Sequence, residues 1–310
     1  MCLVGPVMNI ANYLSNCLFR YRKLEGEQVE KNIDALKANR LYFSKPQYFN
    51  DPYDNLMFVN INQMIQEMRV NLGLFMPSYV EGLKKRDLLM GSYSDFLWNS
   101  NKKDRFIQEY EGAVVQSINK IKEQTKNNLK IICFSENALS MLMWSHYAGN
   151  HQGFIVAYDR EIIKCAKIYD EHKMELTEKA VIAPVKYKNK RVDMTEAIHK
   201  HINKHIFPGE LDVRNIPELP QKTLKEFVTT KSLEWEYEKE IRMVPRIIDI
   251  TNESPFNYIE CIPKAIILGS CCKEKYKNEL AHIANKKGVS IFQACIEDSK
   301  NQYELKLREI

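Results

Sequence analysis

An α+β fold is predicted for this 310-residue chain, in the form of a mixed, largely antiparallel split sheet flanked by helices. Two observations predict it. Strand-like and helical stretches are interleaved without the strict alternation that builds a doubly wound parallel sheet. One long polar block, residues 60–126, carries helical stripes and few strand formers, so it reads as a helical insertion within a single domain over residues 1–310.

The first fourteen residues, mildly apolar and broken by Gly5-Pro6, read as a short strand or docking arm. Residues 17–24 form the opening strand, with Leu18, Arg20 and Arg22 on one face and Phe19 and Tyr21 on the other. Gly26 turns the chain into an amphipathic helix at 27–39, where Val29, Ile33, Leu36 and Lys37 fall at helical spacing. A second strand at 40–44 stops at Pro46 and gives way to an aromatic-rich loop ending at Asp54. Within the insertion, Ile61, Ile65 and Met68 make one stripe, and Phe106, Tyr110, Ala113, Ser117 and Ile121 another. Strands return at 131–135, 153–158 and 184–187, followed by a helix at 193–206. Pro208, Pro217 and Pro220 break the chain before a helix at 221–230. Strands at 241–244, 258–262 and 265–268, a helix at 273–286 closed by Gly288, and strands at 290–296 and 303–307 complete the set.

Composition excludes several classes. Hydrophobic residues make up 45% and charged residues 27%, as in an ordinary globular protein. No apolar run approaches the roughly 18 residues of a membrane span, and the N-terminus lacks the basic start of a secretory signal. Cys133, Cys261 and Cys295 sit in apolar strand-like runs, and Cys271-Cys272 are adjacent rather than spaced for a zinc knuckle. All eight cysteines therefore read as reduced thiols in a cytoplasmic protein. The net charge of +5 is spread among both signs, and the lysines at 186–191 and 273–277 read as solvated faces. His201 and His205 stand four apart beside His199, but flanking lysines and the absence of a following ligand argue against zinc. No metal is expected.

Three segments can carry chemistry. In residues 42–54, Asn50 and Asp51 can close an Asx-turn, and Asp51 and Asp54 can orient a site residue. In 133–153, Ser135 ends a strand and a short helical piece presents Trp144, His146, Tyr147 and His151 before Gly153, where the backbone can be approached closely. In 233–244, Glu234, Glu236, Glu238 and Glu240 alternate with Trp235, Tyr237 and Lys239; an extended chain would put four carboxylates on one face, which needs basic groups to answer them. Glu240 then stands at a strand entrance with Arg242 beside it.

Read together, these stretches resemble the bacterial family called domain of unknown function 2971, akin to abortive-infection proteins. The residues carrying the likeness include Phe19-Arg20-Tyr21-Arg22, Phe49-Asn50-Asp51-Pro52-Tyr53-Asp54, Trp144-Ser145-His146-Tyr147, His151-Gln152-Gly153-Phe154 and Trp235-Glu236-Tyr237-Glu238-Lys239-Glu240-Ile241-Arg242. A more distant likeness, to mono-ADP-ribosyltransferases, implies NAD as cofactor and a toxin or phage-defence role. It implies Glu240, Tyr147 and His146 as catalytic residues. Arg20, Tyr21, Arg22, Ser135, Trp144, Glu238 and Arg242 would then bind the nucleotide, with Asn50, Asp51, Asp54 and Trp235 in support. The alternatives are a non-catalytic sensor or partner-binding protein, and a metal-dependent nuclease using Asp51, Asp54 and Glu240. A nucleotide or other small molecule is the expected ligand, and no membrane is expected.

Overall fold

A computed structural model describes residues 9–74, 81, 100–206, 219–299 and 301–310. The first eight residues of the expected arm, the middle of the helical block, the breaks at Pro208 and Pro217, and the His205 side chain lie outside the described residues. Numbering elements along the chain, the main sheet joins β13 (Leu305–Glu309), β12 (Ser290–Ile296), β11 (Ala265–Leu268), β4 (Phe154–Asp159), β1 (Cys17–Arg22), β3 (Ile132–Ser135), β9 (Glu240–Pro245) and β6 (Ala180–Pro184), in that spatial order. Among the described residues of this sheet, β11 and β12 pair in parallel and the other neighbouring strands are antiparallel. A three-stranded sheet orders β2 (Arg40–Tyr42), β10 (Tyr258–Glu260) and β5 (Ile168–Tyr169), and β7 (Lys186–Lys188) pairs with β8 (Thr230–Ser232). The α+β class and the mostly antiparallel sheet are as the sequence predicts.

The predicted alternation along β1 sets the layers. Leu18 packs with Ile33 and Leu36 of α2 (Gln28–Lys37) and with Leu280 and Ile283 of α9 (Glu274–Lys287). Phe19 and Tyr21 point the other way, against Met143 and Trp144 of α5 (Met141–Tyr147) and Leu14 of α1 (Ile10–Leu14). A third core gathers α3 (Ile61–Val70), α4 (Ser100–Asn128), α7 (Thr195–Ile206) and α8 (Gln221–Val228). Phe106, Tyr110, Ala113, Ser117 and Ile121 are all buried, so the α4 stripe is the face read from the sequence. This core includes Ile131 and Val244, so the helical block packs directly on the ends of the sheet.

Three local expectations change. Residues 184–187 do not form one strand: Pro184, which lacks a ladder donor, ends β6, and Lys186 begins β7 in a different pair. Residues 233–238 are a 3-10 helix rather than an extended run, so the four glutamates do not share a face; Glu234 and Glu236 are exposed, while Glu238 and Glu240 are buried. The expected N-terminal strand or arm is helical where described, at α1. Short β5, β8 and α6 (Arg160–Lys164) fall below what periodicity can detect.

Gly153 behaves as expected. A Cβ there would lie 2.1 Å from the Arg22 carbonyl oxygen, so only glycine lets the start of β4 approach the end of β1.

Candidate functional site

The site begins with a fault in the main sheet. β1 and β4 pair over six positions, from Cys17 with Asp159 to Arg22 with Phe154. On its other edge β1 meets β3 at one pair, Phe19 with Ser135, and then diverges. Ser44 bridges to Ile131 at the far end of β3 and brings the aromatic loop into the gap. Across it, Arg20 Nη1 donates to the Cys133 carbonyl at 2.5 Å, a side-chain bond where the backbone ladder has stopped. The gap is a cavity of ≈ 490 Å³ whose walls include Arg20, Arg22, Asn50, His146, Tyr147 and Glu238. Asp54, Ser135, Lys231 and Glu240 also reach it.

Below the cavity lies a buried charge cluster. Arg242, fully buried, is bound twice by each of two carboxylates: its Nε and Nη2 donate to Glu240 at 2.8 and 3.0 Å, and Nη1 and Nη2 to Asp54 at 3.0 and 2.5 Å. Nη1 also donates to the Val228 carbonyl at 2.7 Å. Lys231 Nζ donates to Glu238 at 2.6 Å and to Glu240 at 3.4 Å, and lies 3.8 Å from Asp54. Its ammonium also sits 4.7 Å from the centre of the Trp235 ring. The local backbone explains the convergence. Lys239, left-handed at φ 44°, ends the 3-10 helix and turns the chain, so Glu238 and Glu240 both meet Lys231. The Glu240 amide donates to Tyr187 Oη at 2.7 Å.

The electrostatics follow. Three acids face two bases, Lys231 and Arg242, so one proton on the cluster would neutralise it. Burial opposes the Glu240 carboxylate, but Arg242 and Lys231 outweigh it and hold its pKa down at about 2. Glu238 is the one that rises: burial pushes its pKa up, and Lys231 offsets this only partly. Tyr147 Oη lies 2.5 Å from Glu238 Oε1 and 3.0 Å from Asn50 Oδ1. Its one proton serves the carboxylate, the stronger acceptor, and burial followed by the Glu238 charge raises the phenol. Above the cluster, burial and then the Arg20 charge push Arg22 down to about 9. A guanidinium keeps its proton at neutral pH, and among the described residues the half-buried Arg22 has no carboxylate partner.

The remaining predicted residues divide. Tyr21 lines the cavity, with its ring against Trp144 at 5.4 Å and its hydroxyl donating to the Asn137 carbonyl at 2.6 Å. Trp144 is fully buried in the α5 core, with Nε1 donating to the Ala138 carbonyl at 2.9 Å, and does not reach the cavity. The Ser135 hydroxyl is committed, donating to the Glu238 carbonyl at 2.6 Å and accepting from the Asn137 amide at 3.0 Å. Arg242 lies behind the cavity rather than on its wall. Asp51 caps the turn through Tyr53 N at 2.8 Å. His146 is exposed at the rim, 6.1 Å from the Tyr237 ring.

Lys231 and Tyr187 were missed as site residues. The one signal for Lys231 was indirect: acids at 238 and 240 inside a fold require a cation. For the nuclease arrangement, Asp54 and Glu240 already share Arg242 and Lys231, and Asp51 does not reach the cavity. His199 pairs with Glu67 at 3.0 Å. Among the described residues, no group of three or more His, Cys, Asp and Glu is arranged to hold a metal ion, and no helix is long and apolar enough to cross a membrane.

A family model described as a protein of unknown function (DUF2971) matches residues 143–243. The chain carries that family's pattern over a span running from Met143 on α5 to Met243 on β9, which includes His146, Tyr147, Lys231, Glu238, Glu240 and Arg242. No curated protein and no solved structure gives a significant match.

Proposed function

We propose that the cavity is the active site of an NAD-using ADP-ribosyltransferase, serving as a toxin or phage-defence effector. The observation that carries this reading is the convergence of Arg20, Arg22, Tyr147, Glu238 and Glu240 on one cavity. Its volume of ≈ 490 Å³ suits a ligand of nucleotide size. Arg22, enclosed and without a carboxylate partner among the described residues, would take the pyrophosphate with Arg20.

The geometry favours Glu238 over Glu240 as the glutamate that would meet the sugar. Both oxygens of Glu240 are held by Arg242 and Lys231, so it acts as a fixed negative charge. Glu238 is bound by one lysine and one phenol, and its raised pKa suits proton transfer. In the reaction the bond from ribose C1′ to the nicotinamide nitrogen breaks, and the nicotinamide leaves with the electron pair. The positive charge growing at C1′ is stabilised by Glu240 and Glu238 together. A bond forms from C1′ to an oxygen or nitrogen of the acceptor, whose proton passes to Glu238.

Nicotinamide release from NAD by the purified protein tests this, with Glu238→Gln expected to lower it at least a hundredfold and Arg22→Met to raise the NAD concentration needed. No release, with no effect of millimolar NAD on thermal stability, rejects it. A second reading, a sensor that binds without turnover, is favoured by one observation: every carboxylate oxygen of Asp54, Glu238 and Glu240 has a protein partner. NAD binding without nicotinamide release selects it.

A further inference from the structure

A second cavity of ≈ 670 Å³ backs onto the first, with Lys231 in the wall of both. Here the chain passes between β7 and β8, beside the turn that carries Tyr53. The guanidinium of Arg191 lies 5.9 Å from the centre of the Tyr53 ring and 5.5 Å from that of Phe58. Both rings stay open to solvent, 61% and 37% exposed, although they are large enough to be worth burying. Thr230 lines the same space, with its Oγ1 buried beneath the surface.

The charges are specific about what fits. Lys188 is already paired with Glu226 at 2.7 Å and is discounted. Among the described residues Lys190 has no acidic partner, and Arg191 gives one weak bond, to the Met57 carbonyl at 3.3 Å. Two acids share the wall, Asp193, whose Oδ1 accepts from the Thr195 amide at 2.8 Å, and exposed Glu234, yet among the described residues neither forms an ion pair with Lys190 or Arg191. Two flat aromatic faces and two cations with free donors therefore meet in one hollow.

We propose that this second cavity binds a nucleotide, with its base against Tyr53 and Phe58 and its phosphate on Lys190 and Arg191. Every base has a flat face that can stack on an aromatic side chain, and a guanidinium offers a phosphate two parallel bonds. An acidic peptide would satisfy the cations but leave both rings uncovered. Neither the likeness to a family nor the NAD chemistry of the first cavity requires this site.

The same ligand chemistry can come from a free nucleotide or from a nucleic-acid strand, and calorimetry on the full chain separates them with AMP and a short oligothymidylate. Binding of at least one probe is expected, weakened tenfold or more in the Lys190→Ala/Arg191→Ala double variant at unchanged melting temperature. Arg191→Lys, which keeps the charge but loses the flat fork, should lose part of it even if the double variant folds poorly. Arg22→Met, which removes the cation of the first cavity, should leave it unchanged. AMP bound as well as the oligonucleotide assigns a free nucleotide; an oligonucleotide preference that weakens with salt assigns a strand. The proposal is overturned if neither probe binds, or if binding is lost in Arg22→Met and indifferent to Arg191. The Arg22 arm reads the first cavity alone, so either assignment can fail without the other.

Discussion

Arg242→Met is the sharpest test of the buried charge cluster. The substitution keeps side-chain length and burial but removes the bonds to Glu240, to Asp54 and to the Val228 carbonyl. Removing one member of a buried pair costs about 3–5 kcal/mol, because the survivor stays buried and unpaired. Arg242 leaves two such survivors, Asp54 and Glu240, with only Lys231 nearby, so a loss near the upper figure, about 5 kcal/mol, is expected. Proteins of 150–250 residues lose roughly 2–4 °C per kcal/mol, which puts the fall in Tm on the order of 10 °C. Urea denaturation and a thermal melt measure both. The triple variant Asp54→Asn/Glu240→Gln/Arg242→Met strands no charge and should regain part of the loss. As a control, Lys31→Met removes an exposed pair with Glu27 at 3.8 Å and should change little. If Arg242→Met stays within about 1 kcal/mol of the parent, or the triple variant is worse than the single, the cluster is not the anchor described here.

Three further outcomes are expected. Glu240 has a folded pKa near 2, below its usual 4.5, so its ionised form stabilises the fold fully above about pH 4.5 and the contribution is lost as pH falls toward 2; the stability gap between parent and Glu240→Gln should close over that window, and a gap that widens on acidification contradicts the sign. Gly153→Ala places a methyl group 2.1 Å from the Arg22 carbonyl oxygen and should cost about 1–3 kcal/mol in chemical denaturation; an unchanged midpoint would show that β1 and β4 can separate freely. Arg22→Met removes a half-buried cation that has no carboxylate partner among the described residues, so it should raise the melting temperature in dilute buffer while abolishing the stabilisation given by added pyrophosphate; retention of that stabilisation would place the anion elsewhere.

What the sequence made legible was whatever depends on local period. The two faces of β1, the α4 stripe from Phe106 to Ile121, the capping role of Gly288 and the close approach at Gly153 all follow from spacing or from one residue type. Asn50, Tyr147 and Glu240 lie in the three segments singled out for mixing aromatic and polar residues, whereas Arg20 and Arg22 entered through the likeness to ADP-ribosyltransferases; all five line one cavity. The rest turned on backbone direction. The alternating glutamates gave a strand pattern, yet a 3-10 helix ending in left-handed Lys239 split them into two exposed and two buried. Lys231 sits in a three-residue strand next to no motif, and its function as counter-charge exists only once Glu238, Glu240 and Asp54 are brought to it. Trp144 and Tyr21 drew attention as aromatics beside polar residues, when their polar atoms were already spent on backbone carbonyls.

The single pair joining β1 to β3 has a mechanical consequence. Strands β13, β12, β11, β4 and β1 form one plate and β3, β9 and β6 another, stitched at Phe19 and Ser135 and laced by the Arg20 side chain. Load applied across the strands concentrates at that seam, because elsewhere neighbouring strands share longer ladders. An anion seated on Arg20 and Arg22 and touching the Glu238 side would tie the two plates together, so the cavity occupies the place where the compliance of the whole sheet is set.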